Sequence, residues 1–242
     1  MATDENFIDC KCPYCGEAVS FRDDVAGHAA ECPNCTESLI VPRETSEFAG
    51  KIPLPIVTPR LILRRLVAAD WKDILEFMSD ERLFEYDEIV PQGEEQVQAW
   101  LEKQQYAKIT APNDWFNLGI ELQPGRKVIG VLYLNFNERA RLQSLVSIDL
   151  NQGFQGQGFD TEAMNALLEF CFDGIGLHRV TAWVDSRDAA KCGLFEKVGM
   201  RREGEFLKDR FVNAEWVNTV WYAMLEEEYR KSRTGPPRES SR

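Results

Sequence analysis

The stretch Asn151-Gln152-Gly153-Phe154-Gln155-Gly156-Gln157-Gly158-Phe159-Asp160-Thr161-Glu162-Ala163 decides how the whole chain is read. It follows an apolar strand-like run, residues 145–150, and leads into a helical pattern over residues 160–172. Glycines at 153, 156 and 158 let the backbone approach a ligand closely and turn successive N–H groups inward. The helix start adds a partial positive charge, which completes a cradle for a pyrophosphate. A glycine-rich strand-to-helix loop can also be a plain turn, and several nucleotide-binding folds share it. Here no GxGxxG follows the strand and no Lys-Ser/Thr closes a P-loop, so those two fingerprints are absent.

Working back from the loop, residues 115–122 and 128–135 read as paired strands across a turn at Gln123-Pro124-Gly125-Arg126. Residues 94–108 read as a helix, and Asp70 caps another that runs to Ser79 with Trp71, Ile74, Leu75 and Met78 on one face. Residues 61–66 read as the first strand of this region. Working forward, residues 178–184 read as a strand, 188–197 as a helix, and 201–210 and 216–225 as two late strands. The polar tail, residues 231–242, reads as disordered. Trp115, Trp183, Trp216 and Trp221 fall at strand core positions.

The N-terminal segment has a different chemistry. Cys12-Pro13-Tyr14-Cys15 and Cys32-Pro33-Asn34-Cys35 are two CxxC knuckles separated by sixteen residues. Each such turn aims two thiolates at one ion, and two turns complete a tetrahedral zinc site. So short a segment cannot build enough core by itself, so the metal supplies much of its folding energy. Four thiolates leave no open coordination position, which makes the expected Zn2+ structural. Cys10 is a spare thiol that could substitute for Cys12, and His28 reads as a loop residue rather than a ligand. A connector follows, with Pro53, Pro55 and Pro59 spacing an extended linker. The expected organisation is a ribbon over residues 1–42, a linker over 43–57, a main domain over 58–230 and a tail over 231–242.

The formal net charge is −12. Over residues 1–48, three Lys and Arg stand against ten Asp and Glu. An acidic surface repels phosphate backbones, so nucleic acid is an unlikely partner, and cationic amines or basic proteins suit the field better. Neither a signal-like N-terminus nor an apolar run of transmembrane length is found, which makes the cytoplasm the expected location, with no membrane partner.

The segment Gln155-Gly156-Gln157-Gly158-Phe159-Asp160 resembles the acetyl-CoA motif of the GNAT superfamily, Q/R-x-x-G-x-G/A. The resemblance extends from about Thr58 to Tyr229. Thr58-Pro59-Arg60-Leu61-Ile62-Leu63-Arg64 is similar to the opening strand of the branch holding ribosomal-protein alanine N-acetyltransferases. Val184-Asp185-Ser186-Arg187-Asp188 and the run from Phe195 to Gly204 resemble further family segments, and the stretch from Gly204 to Leu225 resembles spermidine-type acetyltransferases. The residues up to Pro42 resemble small bacterial zinc ribbons.

The resemblance implies an α+β fold, a largely antiparallel sheet with flanking helices, preceded by a small β zinc ribbon. It implies transfer of an acetyl group from acetyl-CoA to a primary amine, either a peptide N-terminus or a small polyamine-like amine, by direct attack. Backbone groups of Ile148, Asp149 and Leu150 are expected to hold the pantetheine arm. Amides of Gln155, Gly156, Gln157, Gly158, Phe159, Asp160 and Thr161 are expected to hold the pyrophosphate. Asp188 stands where the family usually has Asn, and Asp160 where it has Gly or Ala. The usual acid positions carry Lys191 in place of Ser and Phe195 in place of Tyr.

Glu121 and Asp149 are candidate bases or ordinary strand carboxylates. Cys192 is a candidate acid or a small hydrophobe. The acidic run over residues 80–88 could receive a cationic acceptor or be a solvated surface. A second reading is a weakly active acyl-CoA-binding module whose ribbon docks another protein. The chain is expected to be a monomer or homodimer.

Overall fold

The computed structural model describes residues 7–12, 14–22, 25, 29–41, 54–87, 91–107, 115–136 and 142–234. The chain opens with two short antiparallel hairpins, β1 (Phe7–Lys11) with β2 (Ala18–Arg22) and β3 (Ala29–Glu31) with β4 (Ser38–Ile40). One CxxC lies in each turn, and both turns close in the same way. Cys12 N donates to Glu17 O and Gly16 N to Cys12 O, while Cys32 N donates to Glu37 O and Thr36 N to Cys32 O, all at 2.9 Å. Gly16 (φ 75°) and Thr36 (φ 61°) take matching left-handed positions. Val19 and Leu39 pack with Cys12 and Cys32 into a core of their own. His28 lies outside the described residues.

The main body is an eight-stranded sheet. In chain order its elements are β5 (Ile56–Val57), β6 (Leu61–Arg65), α1 (Trp71–Met78), α2 (Glu94–Gln104), β7 (Trp115–Leu122), β8 (Val128–Phe136) and β9 (Gln143–Leu150). Then follow α3 (Phe159–Glu169), β10 (Arg179–Asp185), α4 (Ala189–Lys197), β11 (Arg201–Val212), β12 (Glu215–Leu225) and α5 (Glu226–Thr234). The strand order is β11-β12-β10-β9-β8-β7-β6-β5. Every pairing is antiparallel except that of β9 with β10. A parallel pair needs a crossover, and α3 supplies it. On one face α1 and α2 bury Ile74, Phe77, Val97 and Leu101 against Leu66, Val128 and Val131. On the other, Met164, Leu167, Phe195 and Tyr229 join the apolar face of the central strands. This is the expected α+β architecture.

Four local expectations are corrected. Asp70 does not cap α1 through its side chain, because Arg64 holds its carboxylate with two bonds of 2.8 Å and the Val67 amide takes a third. The helix after the glycine loop does not end at residue 172. It widens into a π-helical turn, Phe170–Ile175, stopped by Gly176 at φ 77°. Residues 231–234 are helical and belong to α5, which Tyr229 ties down by stacking on Phe172 at 4.8 Å and bonding to Asp173 at 2.9 Å. Finally, Trp115 and Trp216 are not core residues; they are 41% and 61% exposed.

Candidate active site

β9 and β10 pair only from Gln143↔Arg179 to Leu145↔Thr181. Beyond that point β9 stays with β8 as far as Leu150↔Gly130, while β10 stays with β12 as far as Asp185↔Thr219. The two strands therefore part, and a cleft opens in the middle of the sheet. Along its left wall the backbone of Ile148, Asp149 and Leu150 has no strand partner on the β10 side. A ligand with amides of its own can pair there as an added strand does.

The glycine loop lies where β9 ends. Asn151 Oδ1 accepts from Gly153 N at 3.0 Å, Gln155 Nε2 donates to Leu150 O at 3.1 Å, and Gln157 Nε2 donates to Gly153 O at 3.1 Å. These bonds set the loop's path from both sides. Gly156 (φ 71°) and Gly158 (φ 77°) are left-handed, where L side chains are strained. A Cβ at Gly156 would meet nothing within 4 Å, so conformation and not crowding asks for glycine there. The amides of Gly156, Gln157, Gly158 and Phe159 have no acceptor among the described residues. Such a row of amides at a helix start suits a diphosphate.

Asp160, in the position where the family has Gly or Ala, does not cap α3. Gly158 is the N-cap of α3, and the Asp160 carboxylate accepts from Thr161 N at 2.7 Å and Thr161 Oγ1 at 3.2 Å. It therefore occupies one of the amides expected to face the anion. Arg60 stands beside the loop, donating to Gln157 O at 3.0 Å and lying 4.3 Å from the Phe159 ring centroid. Its charge was not singled out from the sequence, although it lies inside the Thr58–Arg64 segment.

Deeper in the cleft the polar groups form one cluster. Lys191 Nζ lies 3.1 Å from Asp149 Oδ1 and 3.9 Å from Asp87, and Arg210 reaches Asp87 at 3.6 Å. Burial works to lower the Lys191 pKa, but the surrounding Asp149, Asp87 and Asp188 outweigh it and hold the ammonium above its usual range. Burial pushes the Asp87 carboxyl up, with Lys191 and Arg210 pulling the other way. Burial, with the Asp149 charge beside it, drives the Tyr133 phenol well above its usual range. Trp115 and Trp183 line the same cleft, and the Arg210 guanidinium stacks 4.2 Å from the Trp183 ring. Tyr133, Arg210 and the two tryptophans are contributors that sequence reasoning missed. Alternation within β8 and β11 does not say which face a cleft will open on.

The other candidates fall in different places. Asp188 accepts from Lys191 N at 2.9 Å and caps α4 at the cleft's right wall. Cys192, one residue on, does not line the cleft; it packs against the core beside Tyr222, and burial raises its thiol pKa. Phe195 is fully buried against Tyr222 at 5.6 Å. Glu121 is 2% exposed and faces the ribbon, with Arg64 at 2.5 Å and the Tyr14 hydroxyl at 3.3 Å. Of the acidic run, Asp87 and Tyr86 reach the cleft, Asp80 pairs with Arg82 at the surface, and Glu88 lies outside the described residues.

In the ribbon the sulfurs of Cys12, Cys15, Cys32 and Cys35 all lie within 4.8 Å of one another. Cys12 to Cys35 is 3.7 Å and Cys15 to Cys32 is 3.8 Å. Tetrahedral thiolates about 2.3 Å from a zinc ion stand roughly 3.8 Å apart, so the donor set fits that ion. Cys10 is not in the group and packs into the small core beside it.

A splayed sheet, an amide-lined loop and a charged cleft make up the candidate site. Comparison with known proteins gives its family. The family described as Acetyltransferase (GNAT) domain matches residues 60–201. An uncharacterized N-acetyltransferase, YnaD, of Bacillus subtilis (strain 168) is 31% identical over 179 residues, covering 72% of this chain and 98% of that protein. An acetyltransferase (GNAT family) structure from Bacillus anthracis superposes with TM-score 0.64 at 26% identity, over 71% of this chain and 98% of its own. A Vibrio cholerae spermidine N-acetyltransferase, solved in complex with CoA and spermine, shares the fold with TM-score 0.63 at 20% identity, over 72% of this chain and 99% of its own. The chain belongs to the GNAT acetyltransferase family. Among the described residues no helix is long and apolar enough to cross a membrane.

Proposed function

We propose that this chain transfers the acetyl group of acetyl-CoA to a primary amine, a peptide N-terminus or a small polyamine-like amine, by direct attack within the β9–β10 cleft. The observation that carries the reading is the parting of β9 and β10 beside the unpartnered amides of Gly156 to Phe159. Acetyl-CoA supplies an activated thioester carbonyl. The Ile148–Leu150 backbone would line up the pantetheine arm, so proximity carries much of the rate. An amide of that strand would polarise the carbonyl.

Asp149, close to both Tyr133 and Lys191, is the group suited to take the acceptor's proton. The Lys191 ammonium, standing where relatives commonly have Ser, is suited to neutralise and protonate the leaving thiolate. Asp188 would orient α4. Glu121 and Cys192 have no part in this scheme. The ribbon, residues 1–42, would hold a structural Zn2+ on Cys12, Cys15, Cys32 and Cys35, and a linker would join it to the acyltransferase domain, whose sheet starts at β5 (Ile56–Val57) and whose last helix, α5, runs to Thr234. The protein would work in the cytoplasm, as monomer or homodimer.

The test is release of CoA thiol from acetyl-CoA across a panel of peptides and amines. Turnover with at least one acceptor, lost in Asp149→Asn, is expected; no release above background with any of them would reject the reading. A specific observation favours a second reading, a domain that binds acyl-CoA but turns over slowly. The Lys191–Asp149 pair occupies base and acid with each other. In that case Lys191→Ser raises turnover.

A further inference from the structure

We infer that the metal-bound ribbon is an intramolecular clamp on the coenzyme loop, so that metal loading and CoA binding reinforce each other; this rests on the transferase reading above. Both knuckles contribute to one contact. Tyr14, between Cys12 and Cys15, donates its hydroxyl to Glu121 and lies 4.1 Å under the Arg126 guanidinium. Glu37, two residues after Cys35, pairs with Arg126 as well. The receiving surface is the turn between β7 and β8.

On the domain side the contact continues towards the loop without a gap. Gln123 N donates to Arg60 O at 2.8 Å, and Gln123 Nε2 donates to Leu61 O at 3.0 Å. Thr58 Oγ1 and Arg60 Nε each bond the Glu162 carboxylate at 2.6 Å, in the first turn of α3. Arg60 Nη1 then reaches Gln157 O inside the glycine loop. Arg126 sits at φ 56°, closing the turn with its amide on Leu122 O at 3.1 Å. Its side chain is held by Tyr14 and Glu37.

The chemistry of Glu121 points the same way. A carboxylate 2% exposed needs its partners, and one of them comes from the ribbon. Without a metal the ribbon's small core has little to hold it. Tyr14 and Glu37 then leave, Arg126 loses both supports, and the turn that carries Gln123 is released. The segment that clamps Glu162 and Gln157 loosens with it. The acidic ribbon is thereby assigned a partner within its own chain, the basic Arg126 turn.

The test uses the full chain in zinc-loaded and chelator-stripped forms, and the zinc-loaded Tyr14→Ala/Glu37→Ala double variant. Binding of CoA is read by calorimetry, and zinc loss by a chromogenic chelator with and without CoA. The expected result is CoA affinity about five- to tenfold weaker in the stripped chain and in the double variant. Saturating CoA should slow zinc extraction by a similar factor in the wild type, since linkage is reciprocal, and leave the double variant unaffected. A double variant that keeps its zinc and binds CoA as tightly as wild type, or an extraction rate indifferent to CoA, overturns the coupling alone. Absence of CoA binding in every form overturns the transferase reading and the coupling with it.

Discussion

Lys191 is the residue on which the chemistry of the cleft turns. It takes a position where relatives commonly carry a small hydroxyl, and it brings a charge that Asp149 and Asp87 both face. Replacing it by an isosteric apolar group, Lys191→Met, leaves two carboxylates in a largely buried cluster with Arg210 as the remaining cation. The expected cost is about 1–3 kcal/mol at pH 7, read from urea midpoints. The sign with pH follows from the raised pKa. The contribution of Lys191 is full below its unfolded value and is lost as pH rises through its higher folded value, so wild type and variant converge in strong alkali. A variant as stable as wild type at neutral pH would show the cluster to be solvated and loose. The catalytic effect is expected in kcat more than in KM, because the charge is needed when the thiolate leaves.

Among the elements, the tie between the start of β6 and the first turn of α3 fixes where the loop sits. Burial works to raise the Glu162 carboxyl, but bonds from Thr58 and Arg60 outweigh it and hold the group below the ordinary carboxylate range. Stability from this pairing is present above the unfolded carboxyl pKa and fades as pH falls through the folded one. Glu162→Gln is therefore expected to cost about 1–2 kcal/mol at pH 7 and little in strong acid. Thermal melts at the two pH values check it, and an equal deficit at both would contradict the assignment.

The elements were also where the sequence was most readable. The strands from Trp115 to Leu150 announce themselves by their apolar content, β9 alternating buried and half-buried residues while β7 and β8 are buried almost throughout, and the loop after them by its glycines. The end of α3 was missed since a π-turn keeps the same buried residues, Phe170, Cys171 and Phe172, that an α-helix would. α5 was cut short because its residues are mostly charged and its anchor is one residue, Tyr229, whose partner Phe172 is remote in sequence. Which carboxylate enters the cleft was also hidden. Glu121 and Asp149 look alike in a strand pattern, and only the β9–β10 divergence and the position of the ribbon set them apart.

At the scale of the molecule, three apolar clusters divide the chain: two on the faces of the central sheet and a third confined to the ribbon. Because the third is separate, loss of the metal should unfold the ribbon without melting the rest. We expect one zinc per wild-type chain and none in Cys32→Ser, whose main thermal transition persists within a few degrees of wild type. Metal analysis beside scanning calorimetry checks this, and collapse of the main transition would show the two parts to be one cooperative unit.

The central claim is that the amides from Gly156 to Phe159 and the open edge of β9 form a seat for CoA. Isothermal titration of the zinc-loaded chain with CoA tests it most directly. The account predicts saturable binding at one site per chain, weakened at least tenfold by Gly158→Val, which forces a β-branched side chain into a left-handed position. A flat titration with the wild-type protein, and a melting temperature unmoved by saturating CoA, would contradict it.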